Sequence, residues 1–266
     1  MELPLSQAAF DRFRHFLHER TGIQLAPARK SLITGRLWRR LWHLRIASYD
    51  DYLNYVLSGE DPAETQVMLD LLTTNETSFF REIRHFDFLR EHARQRRDLP
   101  GPIRVWSAAC STGEEPYSIA MVLDDALGSE KWQVVGSDVS KIALDAARAG
   151  LYPASALERV PPKYAQRYFT PHGTGGVGIL TALRNRVAFK HVNLNSDWPI
   201  MGEFDLIFLR NVIIYFDLAT RRRLIDRLLR ALKPGGFLLT GHAENIGGIN
   251  EELQNVQPAI YTVAAR

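Results

Sequence analysis

A single cysteine, Cys110, occurs in 266 residues, which excludes an intrachain disulfide framework and any multi-cysteine metal site. No metal is expected. No stretch approaches the roughly 20 consecutive apolar residues that a membrane span requires, so no membrane insertion is expected. Met1 to Phe10 has neither the basic start nor the apolar run of a secretory signal, and a cytoplasmic location is the expectation. There are no internal repeats, and the one Gly-rich stretch, His172 to Gly178, is too short to be low-complexity sequence. Acidic residues are missing altogether between Thr21 and Tyr49, where Arg29, Lys30, Arg36, Arg39, Arg40 and Arg45 all fall. The net charge is only +3, so this basicity is local. Two readings stand: a docking surface for something negative, or a solvated helix face.

What is present describes an ordinary globular protein, 45% hydrophobic and 24% charged. Its length exceeds that of a typical domain of roughly 100–150 residues, which predicts one large domain and a smaller one. Ser6 to about Leu72 reads as helical throughout: Phe10, Phe13, Phe16 and Leu17 recur at helical spacing, as do Leu37, Leu41 and Leu44, then Tyr52, Leu53 and Val56. On the second of these helices the spacing puts Arg29, Arg36, Arg39 and Arg40 on one exposed side and Leu37, Trp38, Leu41 and Leu44 on the other.

From about Pro102 short apolar runs alternate with helical stretches, the pattern of a doubly wound α/β sheet. Strands are expected at Ile103–Ala108, Gln133–Asp138, Val187–Val192, Phe204–Leu209 and Phe237–Gly241, with helices near Pro116–Leu127, Lys141–Arg148 and Leu218–Leu232. Leu232 to Gly236 reads as a helix stop and a turn. Between Gly150 and Val187 the prolines and the Gly-rich stretch mark an insert, with a short strand expected at Ile179–Leu183. The expected partition is a helical domain over residues 1–75, a linker contributing to the binding site over 76–101, and a sheet domain over 102–266 with a small β-subdomain insert at about 165–190.

Chemistry concentrates where strands end. After the first strand, Ala108-Ala109-Cys110-Ser111-Thr112-Gly113-Glu114-Glu115-Pro116 crowds small residues into a loop that a ligand can approach closely. It is not a dinucleotide fingerprint, because only Gly113 is glycine and two carboxylates at the helix start repel a pyrophosphate. A cationic ligand fits better. Glu115 would favour an ammonium or sulfonium; alternatively Glu114 and Glu115 only complement the helix dipole. The second strand ends in Ser137-Asp138, a carboxylate placed to accept from two ribose hydroxyls, or else to cap the next helix. Together these features point to a nucleoside ligand with little phosphate, the kind that S-adenosylmethionine represents.

Two further segments are informative: Leu72-Thr73-Thr74-Asn75-Glu76-Thr77-Ser78-Phe79-Phe80-Arg81-Glu82 and Phe208-Leu209-Arg210-Asn211-Val212-Ile213-Ile214-Tyr215-Phe216. With the Ala108–Ser118 loop and Gly241-His242-Ala243-Glu244-Asn245, they resemble the signature motifs of the chemotaxis receptor glutamate methyltransferases, the CheR family, over nearly the whole chain. The resemblance implies an S-adenosylmethionine-dependent protein-glutamate O-methyltransferase, with S-adenosylhomocysteine as product. It implies donor binding by Asn75, Thr77, Arg81, Glu115, Asp138, Asn193, Leu194, Arg210 and Asn211. Arg81 is expected to meet the donor's carboxylate, and Arg81 and Tyr215 are expected nearest the transferring methyl; Tyr215 also reads as a core aromatic. The implied substrate is the cytoplasmic methylation region of a chemoreceptor, a helical bundle rich in glutamate, towards which Arg36, Arg39 and Arg40 would steer. Thr170 to Val187 is a few residues short of the insert that tethers some relatives to a receptor C-terminal peptide, so tethering is doubtful.

Two other functions compete. A methyltransferase acting on RNA or a small molecule would suit the basic helix, but no exposed aromatics interleaved with basic residues and no RNA-binding module are recognisable, so no nucleic acid is expected. A non-catalytic adaptor would have no need of Arg81, Glu115 and Asp138.

Overall fold

The computed structural model describes residues 3–128, 131–198 and 201–263; the outermost residues assigned to the two domains, 1–2 and 264–266, lie outside the described residues. Helices α1 (Gln7–Thr21), α2 (Lys30–Leu44), α3 (Tyr49–Ser58) and α4 (Pro62–Leu72) come first. The starts of α1, α3 and α4 follow from short polar side chains that accept the first free N–H groups: Ser6 from Ala9, Ser48 from Asp51, and Asp61 from Ala63 ahead of Pro62. Their apolar stripes meet in one core containing Phe10, Phe13, Ile33, Leu37, Leu41, Tyr52, Leu53 and Met68.

Then come α5 (Arg84–Gln95), β1 (Ile103–Ala108), α6 (Glu114–Leu127), β2 (Trp132–Asp138), α7 (Lys141–Ala149), β3 (Leu151–Pro153), α8 (Pro162–Tyr168), β4 (Phe169–His172), β5 (Gly176–Ile179), α9 (Thr181–Arg184), β6 (Val187–His191), β7 (Phe204–Leu209), α10 (Leu218–Arg230), β8 (Leu232–Thr240), β9 (Leu253–Gln257) and β10 (Ile260–Val263). The large sheet has the order β6-β2-β1-β7-β8-β10-β9. Its first five strands are parallel, and β10 runs antiparallel to both neighbours. All six residues of β7 are buried, as a strand covered on both faces by helices requires. From β1 the chain winds outward through β2 to β6, then crosses back to β7, so the switch point falls between β1 and β7. Ligands of such sheets bind there, beyond the strands' C-terminal ends.

Four expectations need correction. The stretch 76–101 is no linker: Phe79 and Phe80 are buried in the sheet domain, Phe79 edge-on to Tyr152 at 4.9 Å and Phe80 stacked on Tyr164 at 5.2 Å, and α5 follows directly. The small subdomain starts earlier than residue 165, because β3 pairs with β5. Its expected strand at Ile179–Leu183 is instead the end of β5 followed by α9; the glycines supply the hairpin turn and part of the strand, where periodicity is unreadable. Third, Trp38 is not in the helical core but 49% exposed. Fourth, the basic side of α2 is not uniformly free. Arg36 donates to the carbonyls of Leu72 at 2.9 Å and Thr73 at 2.6 Å, closing the end of α4. Arg40 forms a forked ion pair with Glu64, which is wholly buried and also accepts from the Tyr52 hydroxyl at 2.7 Å. Only Arg39 of the three remains exposed, its guanidinium 5.2 Å from the Trp38 ring centre.

Because removing one partner strands a buried charge, Arg40→Ala is expected to lower unfolding free energy by about 3–5 kcal/mol, whereas Arg39→Ala should stay within about 0.5 kcal/mol of the parent. Urea denaturation followed by circular dichroism checks both.

Candidate active site

The loop after β1 is bent by three left-handed residues, Ala109, Ser111 and Gly113. Gly113 is required at its position: at φ 98° a side chain is strained, and a Cβ would lie 2.8 Å from that of Ala147. The loop is held by the end of β2, with the Cys110 N–H donating to the Ser137 carbonyl at 2.8 Å and the Ser111 N–H to Asp138 Oδ2 at 2.8 Å. Asp138 Oδ1 accepts from the Ser140 N–H at 2.9 Å. The cap of α7 is Ser140, not Asp138. Burial pushes the Asp138 carboxyl up, and the N–H groups of Ser140 and Ser111 pull it part of the way back. Each oxygen keeps a lone pair for a ligand hydroxyl.

Arg210, at the exit of β7, is the electrostatic centre. Its side chain is 2% exposed and lies between two carboxylates, 2.8 Å from Glu115 Oε2 and 3.0 Å from Glu82 Oε2. It also donates to the carbonyl of Arg81. Ser107 completes the cradle by donating to Glu115 Oε1 at 2.7 Å. Burial pushes the Glu82 carboxyl up, but the guanidinium outweighs it and holds the group below its ordinary value. Two carboxylates around one guanidinium leave a local excess of negative charge beside Arg210, which favours a positive group next to Glu115. Behind Glu82, His85 is fully buried with neither ring nitrogen hydrogen-bonded. Glu82, His85 and His242 present donor atoms within 4.8 Å of one another, but the cation already at Glu82 is Arg210.

A cavity of about 340 Å³ opens at this point, the scale of a small-molecule site. Asn75, Thr77, Arg81, Glu115, Asp138, Asn193, Leu194, Arg210, Asn211 and Tyr215 all line it, although they come from five separate stretches of chain. Among the described residues the Arg81 side chain is tied through one nitrogen, to the Glu76 carbonyl at 3.2 Å. The Tyr215 hydroxyl meets no hydrogen-bonding partner among the described residues. Asn193 differs: its amide nitrogen donates to the Arg20 carbonyl at 2.6 Å and its oxygen accepts from the Asn195 N–H at 3.0 Å, so its side chain fastens the loop. Arg36 and Arg40 are not brought to the cavity wall, and neither is Arg39.

Five contributors were missed in the sequence. Gln24, Leu25 and Arg29, from the connection between α1 and α2, close one side of the cavity; the absence of acids there was the only signal. Glu82 lies in the Leu72–Glu82 segment without an assigned role. Glu244, 3% exposed, accepts from the N–H groups of Asn211 at 2.6 Å and Gly241 at 2.7 Å, fixing the left-handed Asn211 (φ 59°). Gly241 has no room for a side chain, since a Cβ would lie 2.6 Å from the Asn211 amide nitrogen.

A doubly wound sheet with a cavity at its switch point, walled by the carboxylates Glu115 and Asp138 and the guanidinium groups of Arg81 and Arg210, defines an α/β enzyme with a small-molecule site. The model of the CheR methyltransferase SAM-binding domain matches residues 75–262, and that of the CheR methyltransferase all-alpha domain matches residues 8–73. The chemotaxis protein methyltransferase of Klebsiella aerogenes is 45% identical over 257 residues, covering 94% of this chain and 87% of that protein. Chemotaxis protein methyltransferase 2 of Pseudomonas aeruginosa is 40% identical over 269 residues, covering 99% and 95%; the Escherichia coli protein is 41% identical over 269 residues, covering 98% and 93%. The chain belongs to the CheR methyltransferase family, and it is an S-adenosylmethionine-dependent methyltransferase.

Asp138→Asn is expected to weaken binding of S-adenosylmethionine by about tenfold to a hundredfold, the loss of a charge-assisted hydrogen bond, measured by titration calorimetry. A second expectation concerns acid. Burial, with Arg210 next, depresses His85 from 6.5 to about 3, so the unfolded chain binds a proton that the folded one refuses. The associated stability is full above pH 6.5 and is lost as pH falls from there towards 3. His85→Phe should therefore flatten the fall in melting temperature between pH 6.5 and 4.5; the remaining slope includes His92, also held down by burial.

Proposed function

We propose that this chain transfers the methyl group of S-adenosylmethionine to glutamate side-chain carboxylates of chemoreceptors, in the cytoplasm, forming methyl esters. The observation that carries the reading is the convergence of Arg81, Glu115, Asp138, Arg210 and Tyr215 on one cavity in a member of this family. No helix among the described residues is long and apolar enough to cross a membrane.

When bound, S-adenosylmethionine supplies a methyl group on a sulfonium, a good leaving group. The acceptor glutamate is ionised near neutral pH, so the protein need provide no base. Its task is alignment and exclusion of water. Asp138 holds the ribose, and Glu115, oriented by Arg210 and Ser107, favours the positive end of the donor. Arg81 and Tyr215, with donors not committed elsewhere, orient carboxylates, and Asn193 and Leu194 border the adenine. Asn75, Thr77 and Asn211 complete the wall.

Substrate capture is direct, without a tethered peptide. Both edges of the small sheet, β3 and β4, are short and carry a proline, Pro153 and Pro171, and proline removes a donor that strand addition would use.

The test is incubation with methyl-labelled donor and a receptor cytoplasmic fragment: label should enter protein as a base-labile ester, and label in RNA instead would overturn the reading. In the same assay Tyr215→Phe and Arg81→Ala should each lower kcat by about tenfold or more, a loss of interactions made at the transition state. Tyr215→Phe should leave donor affinity unchanged.

A further inference from the structure

Glu82, His85 and His242 stand next to the donor cavity without lining it, and the polar atoms around them are poorly satisfied. Eight buried side-chain nitrogen and oxygen atoms among the described residues have no hydrogen-bonding partner, and four of them meet here: Glu82 Oε2, both ring nitrogens of His85 and Arg210 Nε. Buried polar atoms are nearly always paired, so four at one point call for an explanation. The His85 side chain is 1% exposed, and its Nδ1 faces Glu82 Oε2 at 3.5 Å. His242 Nε2 stands 4.0 Å from the same oxygen. Arg210 neutralises Glu82 from 3.0 Å, but the nitrogen concerned donates to the Arg81 carbonyl and leaves Oε2 without a hydrogen bond.

Two imidazoles and a carboxylate with ligand atoms inside 4.8 Å of one another are the set that zinc and its neighbours take, whereas calcium and magnesium take oxygen. We propose that Glu82, His85 and His242 form a binding site for a divalent transition ion of the zinc type, and that the bound ion opposes binding of S-adenosylmethionine. Bonds of about 2.0–2.2 Å put the ligand atoms of a tetrahedral zinc about 3.4 Å apart. The pair at 3.5 Å fits already, and the pair at 4.0 Å closes by a turn of the His242 side chain, which is 49% exposed. That open side admits the ion and leaves a fourth position to water. Glu82 and His85 lie at the start of α5 and His242 beyond β8, so no spacing in the sequence marks the group. The effect on S-adenosylmethionine runs through Glu82, which helps to hold Arg210, while Arg210 holds Glu115. An ion on Oε2 draws Glu82 from Arg210 and cancels the local negative charge that favours a positive group beside Glu115. The opposition is reciprocal, so bound S-adenosylmethionine weakens the ion by the same factor. Nothing in this depends on the identity of the methyl acceptor.

The experiment titrates zinc chloride by calorimetry into tag-free, chelator-stripped protein: the unmodified chain, His242→Ala, and His172→Ala, which removes an exposed histidine of β4 as a control for surface binding. S-adenosylmethionine is then titrated into each with and without saturating zinc. The unmodified chain and His172→Ala should bind one zinc with a Kd of about 10 μM or tighter, and His242→Ala should weaken it by about tenfold or more. Zinc should lower the affinity of the unmodified chain for S-adenosylmethionine by about fivefold or more, and that of His242→Ala by less than about twofold. Without zinc, His242→Ala should bind S-adenosylmethionine as the parent does, because His242 is bonded to Glu82 Oε1 through its backbone N–H, at 3.3 Å, which alanine keeps. Zinc binding weaker than about 1 mM, or binding that His242→Ala leaves unchanged or that His172→Ala lowers equally, overturns the site. Zinc held through His242 with no change in S-adenosylmethionine affinity overturns the opposition between the two.

Discussion

Arg210 is the group on which the site depends. A guanidinium with 2% of its side chain exposed is tolerable only because Glu82, Glu115 and the Arg81 carbonyl surround it. That arrangement couples three stretches of chain: the segment entering the sheet domain, the start of α6 and the exit of β7. It also sets the charge beside Glu115. With Arg210 between two carboxylates, Glu115 keeps one side towards the cavity and the local charge remains negative, which suits a sulfonium and discourages a phosphate-rich nucleotide.

The helical domain is part of the site and not an appendage. The Gln24 N–H donates to the Tyr215 carbonyl at 2.7 Å, Asn193 reaches the carbonyl of Arg20, and His18 pairs with Asp217 at 2.9 Å. Each contact joins the α1–α2 region to a strand-end loop. Arg36 belongs to the same construction: by closing the end of α4 it steadies Leu72 to Thr74, which line the cavity. A charge that reads in the sequence as bait for a substrate thus acts as a helix cap and wall support.

This shows where the sequence is legible. Four of the five parallel strands could be placed to within a residue because buried strands are short apolar runs, whereas β8 begins at Leu232, inside the stretch read as a helix stop and turn; Asp138 and Glu115 could be singled out because strand ends of such sheets face ligands. The antiparallel pair β9 and β10 was not legible, since β9 is mostly exposed and reads as a polar tail. Nor was the split among the α2 arginines. Helical periodicity gives the face of a residue but not what lies opposite it, and Glu64, which claims Arg40, sits twenty-four positions away with nothing local to mark it. Glu82 and Glu244 stood inside recognisable motifs, yet their work is to satisfy backbone and guanidinium groups brought near only by the fold.

The redistribution of charge bears on how a substrate is chosen. Free surface arginines act through a field screened over about 8–10 Å, which speeds encounter with any acidic helix but distinguishes poorly among them. Had Arg36, Arg39 and Arg40 all been free, recognition would be mainly of this kind. With two of them internal, the exposed face of α2 keeps one cation of the three, and selection shifts from net charge towards short-range contacts that depend on shape.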